Sequence, residues 1–356
     1  MNEDYLWDGS GEPDPEVQKL EKTLGRFRHN RPAPNFGPVA DVSGIKVRHR
    51  GFRFHWLQLA FAATLILAAV GLSLLWMRPG PISESGPGWD VARLEGAPRL
   101  DWRQIGRDAK VSHFRVGETL ETDDASRAVI SLDKTGRVEI DGHSRLRVLA
   151  DGPEHKRLAL DRGTIHATIW APPGQFVVDT PSAVTVDLGC VYTLHVDDSG
   201  AGLVRTTMGW VGFKLNGHKS FIPAGAVCAT RPKTGPGTPY FEDASAAFRN
   251  ALFQFDFEAN TPEEREARVA VLLEEARKND ALTLWHLLSR VSEGDRARVY
   301  DRLAALAPPP SGVTWEGVLR LDQKMLDAWW NALNYGDISL WRMYEHDWPE
   351  PRSAAR

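Results

Sequence analysis

The two cysteines, Cys190 and Cys228, are the side chains whose chemistry is easiest to state, because two thiols can form one disulfide bond. The bond would close a loop of about 38 residues, for which loop-closure entropy predicts a stabilisation of a few kcal/mol. It also needs an oxidising compartment, which the topology described below would supply. We expect the disulfide; two buried thiols, or two reactive ones, are the alternatives that the sequence leaves open.

No other set of side chains has the spacing of a catalytic or metal site. Ser131 and Lys134 match the S-x-x-K pattern of penicillin-binding enzymes, but the companion motifs are missing. A nucleophile elbow, a phosphate loop, a dinucleotide fingerprint and a paired zinc motif are missing as well. Five histidines before and between the two cysteines also lack the spacing of metal ligands: His113, His143, His166, His195 and His218. We therefore expect no enzyme activity, no metal and no cofactor.

Residues 56–77 contain no charged side chain and predict a single transmembrane helix, with Trp56 and Met77 as its ends. At about 1.5 Å per residue the segment covers the roughly 30 Å hydrocarbon core of a bilayer. Basic residues without an acid precede it, so the positive-inside rule predicts a cytoplasmic N-terminus: Lys46, Arg48, Arg50 and Arg53. The predicted location is the inner (cell) membrane, with the C-terminal domains in the periplasm. Small residues at every fourth position of the segment are compatible with a homodimer.

The predicted cytoplasmic arm, residues 1–55, contains one short amphipathic helix over residues 15–28. Asp14 can cap it, Pro15 suits its first position, and apolar residues recur on one face: Val17, Leu20, Leu24 and Phe27. A helix this short is marginal in water without something to pack against. It either folds into a groove on a cytoplasmic partner or rests, frayed, on Trp7 or the membrane surface. The net charge of −4 shows no basic excess, so we expect no direct contact with nucleic acid.

Beyond a Pro/Gly/Ser-rich linker, residues 78–100, the periodicity changes to that of β-structure. Short alternating runs are separated by turn signals such as Asp141-Gly142 and Asn216-Gly217 at roughly ten-residue spacing. This pattern predicts an all-β domain over residues 101–238.

The same region resembles the FecR domain. The resemblance lies in the order of several segments: 117–122 (GETLET), 126–132 (SRAVISL), 136–140 (GRVEI), 144–148 (SRLRV), 160–163 (LDRG), 176–181 (FVVDTP), 188–192 (LGCVY) and 209–211 (GWV). It implies a periplasmic β domain of an inner-membrane regulator that relays an external state to a cytoplasmic sigma factor. Cys190 departs from the pattern, since relatives commonly have Thr there. The arm is also shorter than the usual anti-sigma domain, and the expected receptor-docking module is replaced by helices.

Residues 239–356 have helical periodicity. Thr261, Pro262 and Glu264 predict an N-cap, a first-position proline and a capping-box acid. Successive short helices after them resemble one or two HEAT-like hairpins. The tryptophans of this region could line a binding surface, although several are expected in the core: Trp285, Trp315, Trp329, Trp330, Trp341 and Trp348.

The predicted fold class is therefore a single transmembrane helix, an all-β FecR-like domain and an α-helical C-terminal region of HEAT-like hairpins. The predicted function is that of a FecR-like inner-membrane regulator. Its partners would be a sigma factor or another cytoplasmic protein at the arm, an envelope protein or polymer at the periplasmic domains, and the lipid bilayer. The alternative is an envelope binding or scaffold protein that uses a FecR-type domain without sigma regulation.

Overall fold

The computed structural model describes residues 88–106, 111–153, 155–259 and 261–344. No helix within these ranges is long and apolar enough to span a membrane. The longest of them have 14 residues and carry charged side chains, and 14 residues rise only about 21 Å. The predicted fold class is corrected accordingly: the structure shows a β-rich domain followed by helices. The predicted span, residues 56–77, lies outside the described residues.

Eighteen strands are present in the described part of the chain, and most show the alternating burial of strands with one face on a core. They are β1 Gly88–Glu95, β2 Arg99–Leu100, β3 Arg103–Gln104, β4 Ser112–Arg115, β5 Thr119–Glu121, β6 Arg127–Ser131, β7 Gly136–Ile140, β8 Arg145–Asp151, β9 Lys156–Ile169, β10 Phe176–Asp179, β11 Val184–Asp187, β12 Val191–Val196, β13 Gly202–Met208, β14 Trp210–Leu215, β15 His218–Pro223, β16 Ala226–Arg231, β17 Gly235–Pro236 and β18 Tyr240–Phe241.

The strands form two sheets that share β9. In one sheet the order is β4-β1-β6-β7-β9-β12-β13-β16, with β17 and β18 both paired to β16. In the other it is β3-β2-β5-β8-β9-β10-β11-β14-β15. All of these pairs are antiparallel except β9 with β10. The inner faces enclose an apolar core, so the β domain is a sandwich.

Gly163 is the position at which β9 passes from one sheet to the other. Residues before it pair with β8, and Gly163 itself pairs with Val196 of β12. Its φ is +99°, and a Cβ there would lie 2.4 Å from the Cα of Ser144. Glycine is required because both the backbone angle and the close approach exclude a side chain.

The first strand lies inside the segment that composition assigned to a linker. Trp89 and Val91 of β1 are buried, and the Trp89 indole donates a hydrogen bond to Asp151 at 2.7 Å. The Pro/Gly/Ser-rich composition of the preceding residues concealed this short alternation.

Seven α-helices and a 3₁₀ turn at Lys278–Asp280 follow the strands in the described chain. The helices are α1 Ala246–Phe257, α2 Pro262–Glu275, α3 Ala281–Leu287, α4 Glu293–Leu306, α5 Trp315–Leu319, α6 Gln323–Ala332 and α7 Ile338–Tyr344. The predicted capping box is confirmed: the Thr261 side chain accepts from the N–H of Glu264, and the Glu264 carboxylate accepts from the N–H of Thr261. Apolar faces of α1 to α6 pack into a core of their own.

The helical region is not a separate body. The described strands and helices belong to one compact unit, Pro79–Arg356. Leu282, Trp330, Ile338 and Trp341, all from the helical part, join the core of the sandwich. The helices therefore cover an apolar area of the sandwich that would otherwise face water.

Candidate functional site at the crossing between the sheets

Two connections between the sheets lie side by side. Residues 188–190 lead from β11 to β12, and Gly209 leads from β13 to β14. Gly209 has a φ of +73°, and a Cβ there would lie 2.2 Å from the carbonyl oxygen of Gly189. Because only glycine fits, the two connections touch backbone to backbone. We call residues 187–190 and 209–211 the crossing.

Asp187 is the polar centre of the crossing and is only 1% exposed. Its Oδ1 accepts a hydrogen bond from the N–H of Gly189 at 2.7 Å, and its Oδ2 accepts one from the Cys190 thiol at 2.7 Å. Tyr192 is buried nearby, and its hydroxyl has no hydrogen-bond partner among the described residues. The carboxyl is thus held by the amides of Gly189 and Cys190 and by the Cys190 thiol, without a cation.

Burial dominates the electrostatics of this group. Desolvation raises the pKa of the Asp187 carboxyl from 3.8 to about 7, and hydrogen bonds from Cys190 and Gly189 offset only part of that effect. Burial, followed by the charge of Asp187, also raises the pKa of the Cys190 thiol and of the Tyr192 hydroxyl well above their usual values. Both groups stay protonated at neutral pH, so Cys190 is a hydrogen-bond donor rather than a reactive thiolate.

The predicted disulfide is not shown, because Cys190 and Cys228 are both free, buried thiols. Val204 of β13 pairs with Cys228, whereas Met208 of the same strand pairs with Val191, the neighbour of Cys190. Four residues along a strand span about 13 Å, and a disulfide requires Cα atoms within about 7 Å. Strand register therefore keeps the two thiols apart.

Trp210 connects the crossing to the helices. Its Nε1 donates to the carbonyl oxygen of Tyr335 at 2.6 Å, and its ring stacks on Phe221 with centroids 6.5 Å apart. A Cβ at residue 336 would lie 2.2 Å from the indole, and Gly336 has a φ of +113°. The loop between α6 and α7 can close on the ring because this residue is glycine. We call the contact of Trp210 with Tyr335 and Gly336 the Trp210 contact.

Aromatic rings extend the contact into the helical region. Phe221 of β15 lies 4.9 Å from the ring of Trp330 and 4.6 Å from that of Trp341, between centroids. The Trp330 indole donates to the carbonyl oxygen of Gly336 at 3.0 Å. Because these rings are buried and their polar atoms have partners, they act as a packed interface.

Arg290 is the second connection between sandwich and helices. Its guanidinium donates to Lys219 O at 2.7 Å and Ser220 Oγ at 2.8 Å, and to Thr238 Oγ1 at 3.2 Å. Its Nη1 also lies 3.8 Å from Asp256 Oδ1, and both side chains are about nine-tenths buried or more (10% and 7% exposed). Burial raises the pKa of Asp256, and the charge of Arg290 opposes that rise.

A cleft of about 310 Å³ lies beside this connection, between β15 and helices α3, α6 and α7. Its ionisable lining side chains are all basic or neutral imidazoles, which favours anionic over cationic ligands: His218, Lys219, His286, Arg290 and Arg342. His286 is a structural group. Its Nε2 accepts from the N–H of Phe221 and its Nδ1 donates to Leu282 O, and burial lowers its pKa to about 3.

Several histidines of the β domain contact a carboxylate or a hydroxyl. His166 contacts Asp141 at 2.8 Å, and His195 contacts Thr164 at 2.9 Å. No group of three metal-binding side chains occurs among the residues that the structure describes.

The other predicted site residues lie outside the described residues. These are the proposed partner-binding face, Val17, Leu20, Leu24 and Phe27, and the ends of the predicted span, Trp56 and Met77. Their roles stay predictions. Asp187 was missed from the sequence, because an aspartate that ends a strand ordinarily reads as the start of a turn. The only signal was the departure from the family pattern at Cys190, its hydrogen-bond partner.

The model of the family described as FecR protein matches residues 118–211, a range that contains the crossing. Two solved structures of a candidate anti-sigma factor from Parabacteroides distasonis ATCC 8503 are similar to this chain at 14% identity and a TM-score of 0.32. The match covers 38% of this chain and 64% of that protein, less than two thirds of its length. No curated protein matches. The predicted resemblance is confirmed for residues 118–211, which the FecR family model matches.

Proposed function

We propose that this chain is a regulator of the FecR type, which reads an envelope signal with its folded part and passes it to a cytoplasmic sigma factor through its N-terminal residues. The observation that carries the proposal is the family match over residues 118–211. The absence of a reactive constellation in the described residues is compatible with this role but does not argue for it.

The packing of the folded part supports a relay. The Trp210 contact and Arg290 join the sandwich to the helices, and the basic cleft lies directly at that interface. A ligand or partner bound at the helices would therefore act on strands β14 and β15 through direct contacts. Buried, closely packed interfaces transmit such changes because they have few intermediate arrangements.

The sigma-factor contact is assigned to the amphipathic face predicted over residues 15–28. The test uses the full chain and the extracytoplasmic-function sigma factor whose gene lies nearest. Leu20→Asp combined with Leu24→Asp should abolish co-purification of the sigma factor with the chain and change the expression of a sigma-dependent reporter. The matched control, Lys19→Ala with Lys22→Ala, alters the opposite face and should bind like the wild type.

Binding that survives the two aspartates would overturn the proposed contact. A reporter that does not respond to deletion of residues 1–45 would favour the envelope scaffold instead. The inner-membrane location with periplasmic folded domains stays a prediction, which cell fractionation and protease accessibility of the helical region can measure.

A further inference from the structure

We propose that Asp187 is a proton-binding site whose occupancy controls the Trp210 contact between the sandwich and the helices. The inference deepens the proposed function and rests on it in one respect: the bound proton would be the envelope signal that the regulator reads. The proton-binding site itself follows from the crossing.

Asp187 differs from the other buried aspartates of the described chain in having no cation beside it. Asp256 lies beside Arg290, Asp280 pairs with Arg277 at 3.2 Å, and Asp295 pairs with Arg298 at 2.9 Å. Asp187 has only hydrogen bonds, from the Gly189 amide and from the amide and thiol of Cys190. A buried carboxylate without a counter-charge is costly, and protonation removes the cost.

The elements packed against Asp187 bring no compensating charge. On β14 the residue opposite it is Val211, and on β10 the residue opposite its neighbour Val186 is Val177. The ion pair between Asp179 and Arg157 belongs to the far end of β10, where Asp179 pairs with Val184. The titratable groups that interact with Asp187 are Cys190 and Tyr192, both neutral at physiological pH.

The Cys190 thiol can form a hydrogen bond with the Asp187 carboxyl in both protonation states of that carboxyl. When Asp187 is ionised, the Cys190 S–H donates to Oδ2. When a solvent proton binds the carboxylate, its charge changes from −1 to 0, and the new O–H can donate to the same sulfur, because a thiol is both a weak donor and a weak acceptor. The ionised form is the costly one, and burial places its pKa near 7 rather than 3.8.

The crossing connects this group to the helices within a few residues. Leu188 donates its N–H to the carbonyl oxygen of Trp210 at 3.3 Å, and Gly189 touches Gly209. The indole of Trp210 in turn holds Tyr335. Residues 188–190 thus contact both the Asp187 carboxyl and the strand that carries Trp210, so an opening that displaces them also disturbs that strand.

The sign of the pH dependence follows from these values. The pKa of Asp187 is higher in the closed crossing than in an open, hydrated one, so the closed state is fully favoured below pH 3.8 and becomes less favoured as the pH rises through 7. Between pH 6 and pH 8 the opening equilibrium constant should rise about tenfold.

The test is hydrogen exchange of the whole protein at pH 6, 7 and 8, corrected for the intrinsic pH dependence of exchange. In the wild type, the amides of residues 188–192 and 209–212 should show the extra tenfold increase. Asp187→Asn, which mimics the protonated carboxyl, should remove that increase. The control Asp280→Asn changes another fully buried carboxyl, one that is paired with Arg277, and should keep the wild-type pH dependence.

An equal pH dependence in the wild type and Asp187→Asn would overturn the proposal, and so would a wild type without the extra increase. If the variant does not fold, the wild type supplies a second measurement. The infrared spectrum of the wild type should lose a protonated-carboxyl band between pH 6 and pH 8, and Asp256→Asn should show the same loss. A band that does not change over this pH range would overturn the proposal. Because both measurements omit the sigma factor, failure of sigma binding would leave this inference standing.

Discussion

Replacing Arg290 tests whether a single buried side chain holds the helices on the sandwich. Arg290→Met keeps the length of the side chain but removes its donors to Lys219 O, Ser220 Oγ and Thr238 Oγ1. It also leaves Asp256, 7% exposed, without its cation. Removing one partner of a buried charged pair costs about 3–5 kcal/mol of unfolding free energy, and we expect a loss in that range.

The contribution of the pair itself is measured by a double-mutant cycle. Asp256→Asn alone should cost about 1–2 kcal/mol, since the amide oxygen can still accept from Thr238. The double variant should be less destabilised than the sum of the two by about 2 kcal/mol, because neither charge is then left buried alone. Lowering the pH should resemble Asp256→Asn, because protonation removes the same charge and burial raises the pKa of the Asp256 carboxyl.

The assay is urea unfolding at pH 8, followed by tryptophan fluorescence and by far-UV circular dichroism. Arg137→Met is the control: its ion pair with Glu139 lies at the surface, with the two side chains 60% and 33% exposed, and it should cost less than about 1 kcal/mol. Equal losses for the two arginine variants, or a cycle without coupling, would refute the role assigned to Arg290.

Three further predictions concern Gly163, His286 and the thiols. Gly163→Ala should lower the unfolding free energy by roughly 2–3 kcal/mol more than Gly117→Ala, because both glycines have a similar φ (+99° and +93°) but only residue 163 lacks space for a Cβ. Urea unfolding measures both losses, and equal losses would contradict the close approach at the bend of β9. The pKa of His286 is lowered to about 3, so its contribution to stability is present above pH 6.5 and falls by about 1.4 kcal/mol per pH unit below it. His286→Gln should therefore reduce the loss of unfolding free energy between pH 6.5 and pH 3. An unchanged loss would argue against a buried neutral imidazole. Cys190 and Cys228 should react with a thiol reagent only after unfolding, and a reductant should leave the melting temperature unchanged; a fall in melting temperature would reveal a disulfide.

Features that depend on neighbouring residues could be predicted from the sequence. The capping box at Thr261 and Glu264 needs only a spacing of three, and it is present as expected. The FecR-like order of strands and turns was also visible, because alternation and glycine positions are local signals. Strand β1 was hidden because its neighbours are rich in Pro, Gly and Ser.

Features that depend on register or on distant residues could not be predicted. Counting cysteines suggests a bond, but the pairing of Val204 with Cys228 and of Met208 with Val191 separates the thiols. The hydrogen bond from Trp210 to Tyr335 spans 125 positions, and no periodicity links its two ends. Asp187 looks like a turn residue until the sheets enclose it.

The helical region has a physical role in the sandwich. The apolar residues Leu282, Trp330, Ile338 and Trp341 belong to the sandwich core although they come from the helices. Phe221, on a strand of the FecR-type domain's sheet, lies against two of them. The helices therefore complete the core of the β domain, and a change in how they dock changes the packing behind β14 and β15. Because β14 also pairs with the strand that ends in Asp187, protonation of the crossing and docking of the helices should be energetically coupled, each favouring the same closed arrangement.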